Sequence, residues 1–252
     1  MNPMVEPLLE VTGLRKSFGG LVATDRVSLD VAADEVHAVI GPNGAGKTTF
    51  IAQISGDLRP DDGSIRFGGA DITHMSTPQR AKRGLARSFQ ITSIFRDVTA
   101  EDNVALAVQA HDGHSFRFWR PARRDPALRV PARAVLEQVG LADRRGVVAG
   151  ELAHGEQRQL ELAMAIATEP ALLLLDEPMA GMGAEESARM VELLRGLKGE
   201  VGVLLVEHDM DAVFALADRI TVLVRGRATA TGTPRQIRDD EQVRQAYLGE
   251  DA

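Results

Sequence analysis

Residues 41–48, Gly-Pro-Asn-Gly-Ala-Gly-Lys-Thr, constrain this chain more than any other stretch. They fit the spacing G-x-x-x-x-G-K-[ST], and their surroundings give that spacing meaning. Val36–Ile40 before them is an apolar run that reads as a buried strand. Thr48–Ser55 after them reads as a helix ending near Gly56. A strand that enters a helix through glycines can curl its backbone N–H groups inward, and together with the helix N-terminus they bind phosphate oxygens. Gly41, Asn43, Gly44, Ala45, Gly46 and the following Thr49 are therefore expected to line a phosphate cradle. Lys47 can reach terminal phosphates, and the Thr48 hydroxyl can take Mg²⁺. A ligand-free glycine turn would not need this lysine and threonine.

The rest of the chain alternates as a parallel sheet would. Leu8–Val11 and Val27–Val31 read as short strands, and Pro60–Gly63 as a turn before a strand at Ser64–Phe67. These early strands suggest a hairpin-rich flap beside a parallel core. From about residue 76 to 165 the pattern is helical and more polar, with helices expected at Pro78–Arg83, Ala100–Gln109, Pro131–Val139 and Gln157–Thr168. His111–Pro131 carries Pro121, Pro126 and Pro131 and reads as a long loop or broken helix. Buried strands return at Leu172–Leu175 and Val203–Val206, with a helix at Ala184–Leu197 between them. Thr221–Val224 is a further strand, and the polar tail from Pro234 to Leu248 reads as helical.

The strand Leu172–Leu175 ends in Asp176, Glu177 and Pro178. Carboxylates at the end of a buried strand point to where ligands sit in α/β sheets. Asp176 is placed to hold Mg²⁺, and Glu177 to orient or deprotonate an attacking water. Phosphoryl transfer needs mainly positioning and charge stabilisation, so one metal and one base suffice.

Composition narrows the setting. With 252 residues, the chain can form one large domain or two closely packed subdomains. It holds no cysteine, which excludes disulfides and thiolate metal sites and fits the cytosol. The net charge of -7 argues against a general nucleic-acid binder. No stretch near Met1 reads as a signal peptide. Apolar runs such as Ala171–Leu175 and Val201–Val206 fall far short of the ~20 residues that cross a bilayer. Any membrane role must pass through a partner.

Leu152-Ala153-His154-Gly155-Glu156-Gln157 resembles the signature loop of ABC ATPases, which typically reads Leu-Ser-Gly-Gly-Gln. It precedes the acidic strand, as in that family, and the resemblance covers nearly the whole chain. The implied fold is α/β: a P-loop NTPase (RecA-like) parallel-sheet core with an N-terminal antiparallel β subdomain and an inserted helical subdomain. One such domain would span 7–250. Residues 7–90 and 166–232 would form the nucleotide-binding core with its β subdomain, 91–165 the helical subdomain, and 233–250 a helical tail. The resemblance implies that Phe18 stacks on adenine, that Gln90 senses Mg²⁺ and the γ-phosphate, and that His208 contacts the γ-phosphate. Ala153, His154, Gly155, Glu156 and Gln157 would face ATP held by a second ATPase subunit, either a copy or a paralogue. Two departures bear on that contact: Ala153 stands where the family has serine, and Gly183 ends a loop that usually ends in Asp.

Within the family the chain looks most like ATPase subunits of branched-chain and hydrophobic amino-acid importers. That likeness rests on Phe89-Gln90 with Phe95–Thr99, on Glu207-His208-Asp209-Met210, and on the ending Gln245–Glu250. It implies membrane permease subunits as partners, indirectly a periplasmic or extracellular binding protein, no nucleic acid, and a place on the cytoplasmic face of the membrane. The alternatives are a related urea importer or lipopolysaccharide exporter, or a weakly hydrolysing regulatory subunit. Soluble ABC ATPases of translation and repair usually carry tandem motifs or long coiled-coil inserts, which this chain lacks. The segment 111–133 holds Arg117, Arg120, Arg123, Arg124, Arg129 and Arg133 with Phe116, Phe118 and Trp119. It reads as a solvated basic loop, or as a contact to the permease or to anionic headgroups.

Overall fold

The computed structural model describes residues 6–88, 94–112, 125–241 and 243. Gln90, Arg117, Arg120, Arg123 and Arg124, the aromatics beside them, and most of the tail beyond Glu241 lie outside the described residues.

Two sheets organise the chain. The first is antiparallel, in the order β2-β1-β4-β5, from β1 (Leu9–Phe18), β2 (Leu21–Val31), β4 (Asp62–Phe67) and β5 (Ala70–Asp71). The second has six strands in the order β10-β9-β3-β8-β7-β6. These are β3 (Val36–Ile40), β6 (Leu85–Arg87), β7 (Leu172–Asp176), β8 (Gly202–Val206), β9 (Arg219–Val224) and β10 (Arg227–Gly232). The pairs β3–β8, β3–β9, β6–β7 and β7–β8 are parallel, and only the edge pair β9–β10 among these is antiparallel. The expected parallel core with an antiparallel flap is thus present. The flap strands are longer than the sequence suggests: β1 and β2 run to Phe18 and from Leu21, closing a hairpin at Gly19-Gly20. The outer half of β1 carries Arg15, Lys16 and Ser17, and β2 opens on the exposed Leu21 and Val22, so apolar alternation does not reveal them.

The side-chain period of a strand explains how the core sheet is covered. Leu172 and Leu174 face the helix α1 (Lys47–Ser55) and pack with Phe50, Ile51 and Ile54. Leu173 and Leu175 face the other way, onto Met190 and Leu194 of α6 (Ala184–Gly196) and Leu216 of α7 (Met210–Leu216). The central strands are buried on both faces, which is why they read as unbroken apolar runs.

A separate apolar cluster joins three helices, α3 (Ala100–Asp112), α4 (Pro126–Gln138) and α5 (His154–Ile166). Leu128, Ala132 and Leu136 recur every four residues and line the buried stripe of α4. This corrects the expectation of an irregular segment through Pro131. Pro126 sits in the first turn, where its fixed φ suits a helix, and the Asp125 side chain caps the Ala127 N–H. Pro131 is accommodated on the exposed side of the same helix. α5 also begins three residues earlier than expected, inside the 152–157 segment itself. A short α2 (Thr77–Ala81) is capped by Ser76 and Gln79, and α8 (Pro234–Asp239) follows Thr233.

Candidate active site

Because β3, β7 and β8 are parallel neighbours, their C-terminal ends lie along one edge of the sheet. That edge carries the 41–46 loop, the pair Asp176-Glu177, and Glu207-His208. Ligands of open α/β sheets sit at this edge.

The loop is wedged so tightly that two positions accept only glycine. A Cβ on Gly41 would stand 2.2 Å from the Leu223 carbonyl oxygen of β9. Gly46 has φ +99, and its Cβ would stand 2.1 Å from the Ala23 carbonyl oxygen of β2. Lys47 opens α1 and is buried, donating from Nζ to the carbonyls of Gly41 at 2.6 Å and Pro42 at 3.2 Å. Burial pulls its ammonium below the usual lysine range, while the charges of Glu177 and Asp176 oppose that shift. The ammonium and the two carboxylates therefore share one electrostatic site. Thr48 is exposed beside it, and Thr49 is half-buried.

Asp176 is buried at the end of β7. Its Oδ2 accepts from Arg87 Nη2 at 3.3 Å, whereas Oδ1 has no hydrogen-bond partner among the described residues. Burial pushes this carboxyl up, the Arg87 charge pulls it down, and Glu177 adds to the rise. Arg87 also donates to Ser55 Oγ at 3.1 Å and pairs with Asp57, tying the end of α1 to β6 and β7. A buried carboxylate oxygen without a donor suits a hard cation such as Mg²⁺, which prefers one or two carboxylates plus phosphate oxygens.

Glu177 follows at φ +52, a left-handed conformation that costs a non-glycine residue about 1 kcal/mol or more. Its N–H donates to the Val206 carbonyl at 2.8 Å, which holds the turn against β8. His208 is no core histidine, since 60% of its side chain is exposed. Phe18, at the end of β1, is 51% exposed, with the Lys16 ammonium 5.8 Å from its ring centroid. It too is free of the core.

The 152–157 segment lies apart: among the described residues no hydrogen bond joins it to the 41–48 loop. Ala153 is the N-cap of α5 and brings no side-chain cap to the first-turn N–H groups. Its own N–H donates to Glu156 Oε2 at 3.0 Å, and Glu156 Oε1 accepts from Arg144 at 2.8 Å. Gln157 donates to the Leu152 carbonyl at 2.9 Å. Glu156 and Gln157 thus brace the loop, leaving Ala153 and His154 exposed at its tip while Gly155 is buried. A Cβ on Gly155 would lie 2.5 Å from Glu186 Oε1, and Glu186 Oε2 accepts the Gly183 N–H at 3.1 Å. The start of α5 and the start of α6 are therefore packed together. Arg87 and Glu207 are site residues that the sequence reading did not assign. A carboxyl after an apolar strand was the available signal for Glu207; Arg87 had none.

A family model described as ABC transporter matches residues 24–180, more than half of the chain. A second, described as branched-chain amino acid ATP-binding cassette transporter, matches residues 230–252. The high-affinity branched-chain amino acid transport ATP-binding protein BraF of Pseudomonas aeruginosa is 41% identical, over 98% of this chain and 100% of its own length. LivG of Escherichia coli, of the same description, is 38% identical over 98% and 100%. Among solved structures, a nucleotide-free ATP-binding cassette from an ABC transporter has a TM-score of 0.83 at 26% identity, covering 96% of this chain and 98% of that one. The ADP conformation of an ATP-binding cassette scores 0.84 at 27% identity, covering 96% and 99%.

Proposed function

The chain belongs to the ABC transporter family as an ATP-binding ATPase subunit, and on that premise we propose that it drives import of branched-chain or other hydrophobic amino acids through membrane permease subunits. The observation that carries the ATPase reading is geometric: one sheet edge carries the loop that holds Lys47, Glu177, and an Asp176 whose inner oxygen has no hydrogen-bond partner among the described residues. The near-full-length likeness to BraF and LivG, with the match over 230–252, supports the substrate class.

In this reading the loop N–H groups of 41–46 and Lys47 bind the β- and γ-phosphates, and Phe18 stacks on adenine. Thr48 and Asp176 would hold Mg²⁺, with Gln90 as a further contact. When bound, that ion neutralises charge on the phosphates. Glu177 takes the proton of the attacking water as its oxygen adds to the γ-phosphorus and ADP leaves. His208 donates to the γ-phosphate. A second copy or a paralogue presents its Ala153–Gln157 segment to the same ATP, so two chains make two composite sites. Backbone N–H groups at the start of α5 supply that contact where Ala153 has no hydroxyl.

No helix of the described residues is long and apolar enough to cross a membrane. The near-full-length likeness to ATP-binding subunits of transporters supports a place on the cytoplasmic face, held by the permease. A groove of about 410 Å³ lined by Ala81, Arg87, Ala107, His111 and Met164 is the surface we assign to a permease segment. Arg87 lines it and also holds Asp176, so an occupant there would bear on the nucleotide site. A periplasmic or extracellular binding protein would deliver the substrate to the permease. The test is uptake of labelled leucine by vesicles carrying this chain with its co-purifying membrane subunits, supplied with the binding protein. ATP-dependent uptake is expected, lost with Lys47→Ala; ATP hydrolysis without uptake of leucine or any other hydrophobic amino acid would contradict the substrate class.

A further inference from the structure

The roles given to Glu177 and His208 leave one buried carboxyl group at the same edge unexplained. Glu207 is 0% exposed, between the end of β8 and His208. A carboxyl group buried there is costly unless its oxygens are met by donors. The donors here are all backbone. Oε1 accepts the Met179 N–H at 3.0 Å. Oε2 accepts the N–H of His208 at 2.8 Å and of Asp209 at 3.2 Å. Among the described residues, the basic group within 4.0 Å of it is the ring of His208, at 3.6 Å.

These donors come from two separate loops. Met179 is buried two residues beyond Glu177, whose own N–H is tied to Val206 at the end of β8. Asp209 is fixed on the other side, capping α7 through the Ala212 N–H at 3.1 Å. One side chain therefore bolts the loop of Glu177 to the loop of His208. A residue that merely ended a strand would be solvated, or apolar if buried. One satisfied wholly by the N–H groups of two loops fixes their relative position, because any shift of either loop leaves a buried oxygen or N–H unpaired.

We infer that Glu207 is a positioning residue that holds His208 at a set offset from Glu177, so that the base and the γ-phosphate contact meet one substrate geometry. The inference rests on the roles proposed above for those two residues. Glu207→Gln keeps the shape but replaces one accepting oxygen with an NH₂ that faces N–H donors.

The experiment combines steady-state ATPase, an ATP-binding titration and thermal unfolding on the whole chain. Glu207→Gln is expected to lower kcat about tenfold or more, since a misplacement near 1 Å can cost up to ~10²-fold. ATP affinity should stay within about threefold, because the phosphate loop is untouched. In a His208→Ala background, Glu207→Gln should cost less than about twofold further, since its partner is already gone. Full kcat in the folded single variant overturns the inference, and so does an equal loss in both backgrounds. If Glu207→Gln does not fold, Glu207→Asp takes its place. It keeps both accepting oxygens on a stem one methylene shorter, and it must show lowered kcat at unchanged KM; undiminished kcat overturns the inference. If His208→Ala alone keeps full kcat, the role of His208 falls and the inference falls with it. If His208→Ala is impaired and Glu207→Gln is not, the inference alone fails.

Discussion

Lys47 and Phe18 are assigned to opposite ends of one nucleotide, and the structure gives them opposite surroundings. Lys47 is buried and folded across the carbonyls of its own loop, whereas Phe18 stands half out of the fold at a hairpin end. Lys47→Ala removes a charge-assisted contact worth about 1.5–3 kcal/mol. Phe18→Ala removes base stacking worth about 1–3 kcal/mol. Both variants should weaken ATP binding in a titration without loss of fold. Unchanged affinity in Phe18→Ala beside a clear loss in Lys47→Ala would reject the adenine contact. At this scale the sequence speaks most directly where the chemistry sits in one short segment, in the 41–48 loop and Asp176-Glu177, which the fold brings to one sheet edge; the role of His208 rests on the family resemblance. The sequence was least legible where a role depends on distant chain. Arg87 matters because β6 lies beside β7, and Glu207 because its oxygens reach a loop 28 residues away.

Among the elements, β3 shows how a polar residue can lie within an apolar strand. His37 is fully buried in it, with Nδ1 2.9 Å from the Asp30 carbonyl of β2 and Nε2 2.8 Å from Thr221 Oγ1 of β9. The carbonyl can only accept, so Nδ1 carries the proton and Nε2 accepts from Thr221, a neutral ring. Burial lowers its pKa from 6.5 to about 4, against the pull of Glu35 and Asp30 and with the help of Arg219. The sign follows. Between pH 6.5 and 4 the unfolded chain takes up this proton and the folded chain does not, so stability falls as pH drops through that window. The loss from this residue should be on the order of 2–3 kcal/mol by pH 4. Urea melts at pH 7, 5.5 and 4.5 should show a shallower pH slope for His37→Gln than for the unchanged chain. Equal slopes would place the titration elsewhere. The helices were less legible than the central strands for a local reason. Pro126 and Pro131 read as breakers, yet one begins α4 behind an Asp cap and the other sits on its exposed side. The ends of β1 and β2 were hidden because an exposed hairpin needs no apolar alternation. The segment around Gln90 and the arginines from 117 to 124 lie outside the described residues, so their roles rest on sequence alone.

At the scale of the whole molecule, the two halves of the proposed chemistry do not meet within one chain. The phosphate loop, Asp176, Glu177 and His208 share a sheet edge, whereas residues 152–157 sit at the start of α5, packed on α6 through Glu186 and Gly183. Gly183 leaves its N–H to Glu186 where the family usually places an Asp, and Ala153 offers backbone alone. In the proposed reading a second chain completes the site by presenting its own 152–157 segment to the ATP. Glu177→Gln tests this most directly, because it preserves size and polarity while removing the base. ATPase rate and size-exclusion elution should be measured together, with and without MgATP. The account predicts ATP binding retained, turnover lower by ~10²-fold or more, and a dimer that forms with ATP and persists. Undiminished turnover, or a variant that with ATP bound pairs neither with itself nor with a paralogous ATPase subunit, would contradict it.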